Sequence, residues 1–173
     1  VKIYVLNRDI LPDWFRKPRR MAQLLGGELI DVKLNPDDVR DTWWTQEHIS
    51  LDAYSRYFIP KYILEEKVLY LDADLLVLKN LEDIFEIDMK GHPIAAVMDT
   101  DNQSFNSGVL LIDNGLWKRE NMTEQLVNET NGSLQQALEG NIPKFNGDQT
   151  IFNKVFRDRW LALDKRMNLQ VGQ

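Results

Sequence analysis

A chain of 173 residues, 43% apolar, with seven Phe, five Tyr and five Trp, is sized for one domain with a real core, and that excludes a disordered tail. Lys and Arg number 21 against 27 Asp and Glu, so the net charge of −6 repels nucleic-acid phosphates on average, although Arg16, Lys17, Arg19 and Arg20 form a local basic cluster. Without cysteine, a disulfide scaffold, a zinc ribbon and a thiol nucleophile are excluded. Any metal must then be held by oxygens and at most by His48 and His92.

In chain order, Lys2 to Asn7 is apolar and β-branched and reads as a strand. Pro12 and Asp13 open a basic amphipathic helical segment, Trp14 to Leu25, stopped by Gly26 and Gly27. Glu28 to Leu34 alternates apolar and polar, a second strand. From Thr45 to Tyr62 the spacing of Ile49, Ala53, Tyr57 and of Leu51, Tyr54, Phe58 predicts a helix with one broad buried face, bent or ended at Pro60. Val68 to Leu71 is a short buried strand running into Asp72-Ala73-Asp74, with Leu75 to Leu78 continuing the apolar run. Further strands are expected at Ile94 to Met98, Phe105 to Ile112 and Trp160 to Leu163. Trp117 to Leu138 is charged and helical in part, and Gly147-Asp148-Gln149 opens a helix running to Phe156. Apolar strands separated by helices predict a single α/β domain over residues 1–173, a mostly parallel sheet with helices on both faces.

No stretch is apolar enough to span a membrane and no signal-peptide core occurs, so the expected location is cytoplasmic. The sequons at Asn102, Asn121, Asn128 and Asn131 are then read as chance.

The most informative chemistry is Val68 to Val77. Two carboxylates one residue apart, just beyond a buried strand, stand where open α/β sheets place ligands. In extended chain Asp72 and Asp74 project to one side and could converge on a hard cation whose other oxygens come from a diphosphate. The alternative is an Asp-rich turn. Asn106 and Ser107 bring an amide and a hydroxyl beside Gly108, Asn106 being equally readable as a turn residue. Asp148 and Gln149 sit at a helix start, where Asp148 alone reads as an N-cap, and Arg56 reads equally as half of an ion pair. Haloacid-dehalogenase-type phosphatases share the Asp-x-Asp letters. They need Thr or Val where Leu76 stands, and an acidic residue where Phe152 stands.

Together, Tyr54-Ser55-Arg56-Tyr57, Leu69 to Asp74, Phe105 to Ile112 and Gly147-Asp148-Gln149 with Phe152-Asn153 occur in an order and spacing that resemble glycosyltransferase family 8 from Lys2 to about Leu169. The resemblance implies a GT-A (Rossmann-like) fold and retaining transfer of a hexose, Glc or Gal. The donor would be a UDP-sugar, the cofactor Mn²⁺ or Mg²⁺, and the acceptor a saccharide or glycosylated protein of the cell surface. It implies no nucleic-acid partner and leaves peripheral membrane association open. It assigns Asp72 to ribose and metal, Asp74 to the metal, and Arg56, Asn106 and Asp148 to donor sugar and phosphate. Gln149 falls beside the anomeric carbon and, with Asp148, is the candidate catalytic residue that the resemblance implies. With no obvious nucleophile, front-face attack is expected over double displacement. The acceptor is expected near Asp99 to Ser104 or Asn128 to Lys144. The family's first strand and its late histidine motif have no counterpart here, and neither His48 nor His92 is assigned to the metal. A partial transferase domain is therefore expected, with a non-catalytic, degenerate partner domain as the alternative.

Overall fold

The computed structural model describes residues 1–43, 50–140 and 147–170. Strands β1 (Lys2–Asn7) and β2 (Glu28–Lys33) pair in parallel, Tyr4 opposite Ile30. The crossover between them is a 3₁₀ turn, Pro12–Phe15, leading into helix α1 (Arg16–Leu24). Pro12 suits that first turn because its fixed φ is helical and its missing N–H is not needed there. Phe15 and Ala22 are the buried side of this crossover, and α1 packs on β2. Gly26 ends the helix in the left-handed conformation, φ +75°.

The predicted long helix from Thr45 is corrected. Residues 45–49 lie outside the described residues, and Leu51–Phe58 is a 3₁₀ helix followed by the short helix α2 (Ile59–Tyr62). Three residues per turn suits this segment because Tyr54 and Tyr57 then lie on one side, their rings meeting edge to face, 5.5 Å apart and fully buried. Pro60 lies in the first turn of α2 and so starts that helix rather than ending one.

The larger sheet holds β3 (Lys67–Leu71), β4 (Ile94–Met98), β5 (Phe105–Asp113) and β6 (Trp160–Leu163), in the order β3-β5-β4-β6. Strand β6 is parallel to β4, while β5 is antiparallel to both β3 and β4. Three strands thus share one direction and β5 alone opposes them. The reason is length: only residues 99–104 connect β4 to β5, too few for the crossover that parallel neighbours require.

Helices α3 (Glu82–Phe85), α4 (Asn114–Arg119), α5 (Met122–Leu138) and α6 (Gly147–Val155) complete the domain. The segment predicted as partly helical from Trp117 divides at Asn121, whose φ of 52° breaks α4 from α5. Side chains alternate across the sheet. Ile94, Ala96, Leu110 and Ile112 enter the main core with Trp117, Leu126, Phe152 and Phe156, whereas Ala95 and Leu111 face a smaller cluster with Met89.

Tyr4 and Leu6 of β1 and Val68 and Tyr70 of β3 pack on that same main core. Both strands nevertheless leave one edge without a partner strand among the described residues. A polar link spans the two sheets. Lys2 Nζ and Tyr4 Oη donate to Glu65 Oε1 at 2.8 and 2.7 Å. These donors pull the Glu65 carboxyl from its ordinary value of 4.5 down to about 2. A depressed folded pKa adds stability that is present above about pH 4.5 and lost as pH falls towards 2. Glu65→Gln should therefore flatten the acid limb of the stability curve in that window and leave it unchanged in shape above pH 5 or so, as urea denaturation at stepped pH would show.

Candidate active site

Strand β3 ends at Leu71, and Asp72 hangs from the sheet edge through its N–H, which donates to Gly108 O at 2.9 Å. The chain then turns at residues 73–74, so Asp72 and Asp74 are not displayed from extended chain as the sequence suggested. Residues 75–78 do not extend the strand either: they are irregular and exposed, Leu76 to 81%. Asp74 is exposed and Asp72 half-buried.

Opposite Asp72, strand β5 bulges. Ala96 pairs with Leu110, but Val97 pairs with Asn106, so residues 107–109 are extra on β5. A bulge re-aims side chains locally, and here it brings Asn106, Ser107 and Gly108 to Asp72. A Cβ on Gly108 would lie 2.8 Å from Asp72 Oδ2 and 3.1 Å from Asn106 Oδ1. Only glycine admits this approach without displacing the carboxylate. Gly108→Ala should cost about 1–3 kcal/mol through overpacking, measurable by urea denaturation, and should move Asp72 in a crystal structure of the variant.

Arg56, from the 3₁₀ helix, and Asp148, from the first turn of α6, form a buried ion pair, each 3% exposed. Arg56 Nε and Nη2 both donate to Asp148 Oδ2. Nη1 donates to Ser107 O, Nη2 also reaches Ser107 Oγ at 3.2 Å, and Nη1 lies 3.6 Å from Asp72 Oδ1. The guanidinium lies over the rings of Tyr70 and Phe152, 4.9 and 5.1 Å from their centroids. Burial works against the charge on Arg56, and Asp148, Tyr70 and Asp72 outweigh it, so its pKa rises. Burial pushes the Asp148 carboxyl above its ordinary value, and Arg56 pulls against it. The guanidinium itself never deprotonates in proteins.

Gln149 is fixed at both ends. Its Oε1 accepts from Ser107 N and Oγ at 3.1 and 3.2 Å, and its Nε2 donates to Asp99 Oδ2 at 2.8 Å. Because Asp99 only accepts, the amide orientation is set. Asn106 Oδ1 accepts from Gly108 N at 2.9 Å and from Asn168 Nδ2 at 2.8 Å. Asn153 clamps the Phe105 backbone through both its N–H and its C=O. All six residues singled out by sequence thus lie in one region of the molecule: Arg56 and Asp148 as a buried base, Asp72, Asn106 and Gln149 half-exposed above it, and Asp74 outermost.

Sequence reasoning missed Tyr70 and Asn168, and it gave Asp99 only as part of an acceptor loop, not as a partner of Gln149. Tyr70 Oη donates to Asp72 Oδ1 at 2.6 Å, and its position two residues before Asp72 was a readable signal, since alternate strand residues share a face. Asp99 and Asn168 carry no local signal, because each acts across the fold. An open cleft of about 480 Å³ adjoins Gln149, lined among others by Asp99, Ser104, Asn153, Arg157 and Trp160.

As a cation site, the donor set is two carboxylates of hard oxygen. No group of three His, Cys, Asp or Glu side chains gathers anywhere among the described residues. One or two carboxylates completed by substrate phosphates is how Mg²⁺-type ions are commonly held, and the residues present fit that pattern.

A carboxylate turn, a bulged amide-bearing strand and a buried Arg–Asp pair thus meet at one end of the α/β sheet, and comparison with known proteins names the family. The family model for glycosyl transferase family 8 matches residues 1–173. Glycosyltransferase GlyD of Streptococcus pneumoniae serotype 4 is 53% identical over 172 residues, 99% of this chain and 21% of its own length. The crystal structure of GlyE from S. pneumoniae TIGR4 superposes with a TM-score of 0.79 at 37% identity, over 98% of this chain and 39% of that one. The galactosyltransferase LgtC, solved with donor and acceptor sugar analogs, shares the fold with a TM-score of 0.80 at 24% identity, over 95% of this chain and 63% of that one. The chain belongs to glycosyl transferase family 8, and its fold is GT-A. It spans about a fifth of GlyD and two fifths of GlyE.

Proposed function

We propose that these residues form the donor side of a retaining glycosyltransferase that moves a hexose from a UDP-sugar to a saccharide acceptor. The observation that supports it most is the joining of four separated segments, at Arg56, Asp72, residues 106–108 and residues 148–149, into one hydrogen-bonded cluster in a chain of this family. Asp72 and Asp74 would hold Mn²⁺ or Mg²⁺, which when bound neutralises a leaving diphosphate. Asn106, half-exposed above the ion pair, is placed to hydrogen-bond the donor. Arg56 and Asp148, deeply buried, work chiefly by holding the Ser107 backbone, which in turn holds Gln149.

Gln149 presents a neutral amide where positive charge would develop on the sugar ring. An amide is a poor nucleophile, so attack by the acceptor on the face the diphosphate leaves is the step proposed for retention. The cleft beside Gln149 is the acceptor side, with the Trp160 ring and the 99–104 loop as its walls.

The test is hydrolysis of UDP-glucose and UDP-galactose with and without Mn²⁺, on the natural polypeptide that contains these residues. Metal-dependent release of UDP from one of the two supports the reading; turnover of simple phosphate esters instead would replace it with a phosphatase. Trapping a glycosyl adduct on Asp148 or Gln149 would sink the front-face step alone.

A further inference from the structure

Asn168 has no part in the transfer reading, yet it reaches the amide placed to hold the donor. The sheet sets its approach. Asn106 of β5 pairs with Val97 of β4, and Val97 pairs in turn with Leu163 of β6, so the three stand in one cross-strand row. Directly after that row the chain leaves β6. Asp164 caps a single 3₁₀ turn, Lys165–Met167, by accepting from Arg166 N at 2.8 Å, and the turn packs against β4. Asn168 follows it and is carried across β4 to Asn106, 62 positions earlier in the sequence.

The hydrogen bonds at Asn106 fix the polarity of its amide. A backbone N–H can only donate, so the 2.9 Å contact from Gly108 N requires Oδ1 there and not Nδ2. Asn168 Nδ2 donates to the same oxygen at 2.8 Å. A carbonyl oxygen has two lone pairs, and both are thus engaged. What Asn106 has left to offer is the pair of N–H donors on Nδ2. That polarity matters beside Asp72, whose Oδ2 and Asn106 Oδ1 both crowd the position a Cβ on Gly108 would take. Carboxylates bring only acceptors, and a diphosphate does the same, so a donor group is what an oxygen-rich ligand needs there.

We propose that Asn168 is a positioning residue: by donating to Asn106 Oδ1 it locks the Asn106 amide so that N–H groups, and no oxygen lone pair, are left for the sugar donor. The use of the lock rests on the transfer reading; the lock itself does not.

Asn168→Asp is the decisive variant, because it keeps the shape and reverses the polarity. A carboxylate against Oδ1 sets acceptor facing acceptor. The relief is a half-turn of the Asn106 amide, which strips Gly108 N of its partner and turns Oδ1 to the ligand. The variants are made in the natural polypeptide that contains these residues. Asn168→Ala, which removes one hydrogen bond, should lower kcat/KM for the UDP-sugar by about fivefold. Asn168→Asp should lower it by about 50-fold, with the melting temperature within a few degrees of the parent. In an Asn106→Ala background the same Asp substitution should cost no more than about twofold, since it acts through Asn106. Hydrogen–deuterium exchange over residues 105–113 reads the half-turn without any turnover, and Asn168→Asp should speed exchange at the Gly108 N–H by about tenfold. Equal losses in the two Asn168 variants, an Asp penalty that persists without the Asn106 amide, or unchanged exchange at Gly108 would each overturn the proposal. A parent without UDP-sugar turnover would overturn the transfer reading instead, and the exchange measurement would still decide the lock.

Discussion

Arg56→Met is expected to lower the unfolding free energy by about 3–5 kcal/mol, because it leaves the Asp148 carboxylate buried without a counter-charge. The size follows from the geometry. Asp148 is 3% exposed, and its Oδ2 takes both guanidinium bonds. Single domains hold only about 5–15 kcal/mol in total, so this variant should sit near the edge of folding. Replacing both partners is a different matter. Arg56→Met with Asp148→Leu removes the charge along with its partner, and buried ion pairs exchanged for apolar groups of similar volume are often neutral or better. The double variant should recover most of the loss while still lacking the tie from Arg56 to Ser107. Urea denaturation of the two singles and the double, read as a cycle, gives the coupling; a double variant no more stable than Arg56→Met would show that the ion pair is not the source of the effect.

Asp72→Asn is expected to lower metal-dependent UDP-sugar turnover by about a thousandfold or more while leaving the fold intact, as the loss of several kcal/mol of charge stabilisation at the metal implies. Asparagine keeps the shape, the backbone N–H to Gly108 O, and an oxygen to accept from Tyr70. What disappears is the negative charge. The loss should therefore appear in the metal dependence of kcat/KM, with the melting temperature within a few degrees of the parent. Tyr70→Phe tests the support of that carboxylate and should cost about 10–100-fold, the usual range for groups that orient a metal ligand. A turnover unaffected by Asp72→Asn would remove this residue from the metal and leave Asp74 alone with that role.

The elements most legible in sequence were those with a strong local period or a clear stop: β1, α1 with Gly26, β4 and α6 fall where the pattern places them. The 3₁₀ helix before α2 was hidden because Leu51, Tyr54 and Phe58 satisfy a 3.6-residue period as readily as Tyr54 and Tyr57 satisfy a 3.0-residue one; ring packing decides between them. The direction of β5 was in principle readable from the six-residue connection before it. Within the site, the identity of Asp72, Asn106, Asp148 and Gln149 was legible, but their division of labour was not. That Asp148 is spent on Arg56, and that Asp99 turns Gln149, depends on contacts between residues 50 to 92 positions apart, which no local spacing encodes.

The four exposed apolar residues at 75–78 have a consequence for the carboxylates that precede them. A run of Leu, Leu, Val and Leu without proline is the composition of a segment that stacks between chains. Charges at its borders act as gatekeepers against that, and here they are Asp72 and Asp74 on one side and Lys79 on the other. The same two carboxylates proposed to hold the metal therefore also keep this turn in solution. Their neutralisation should show twice, as lost turnover and as increased light scattering of the concentrated protein. In this chain the charge proposed to hold the metal and the charge that keeps the turn soluble would sit on the same side chains.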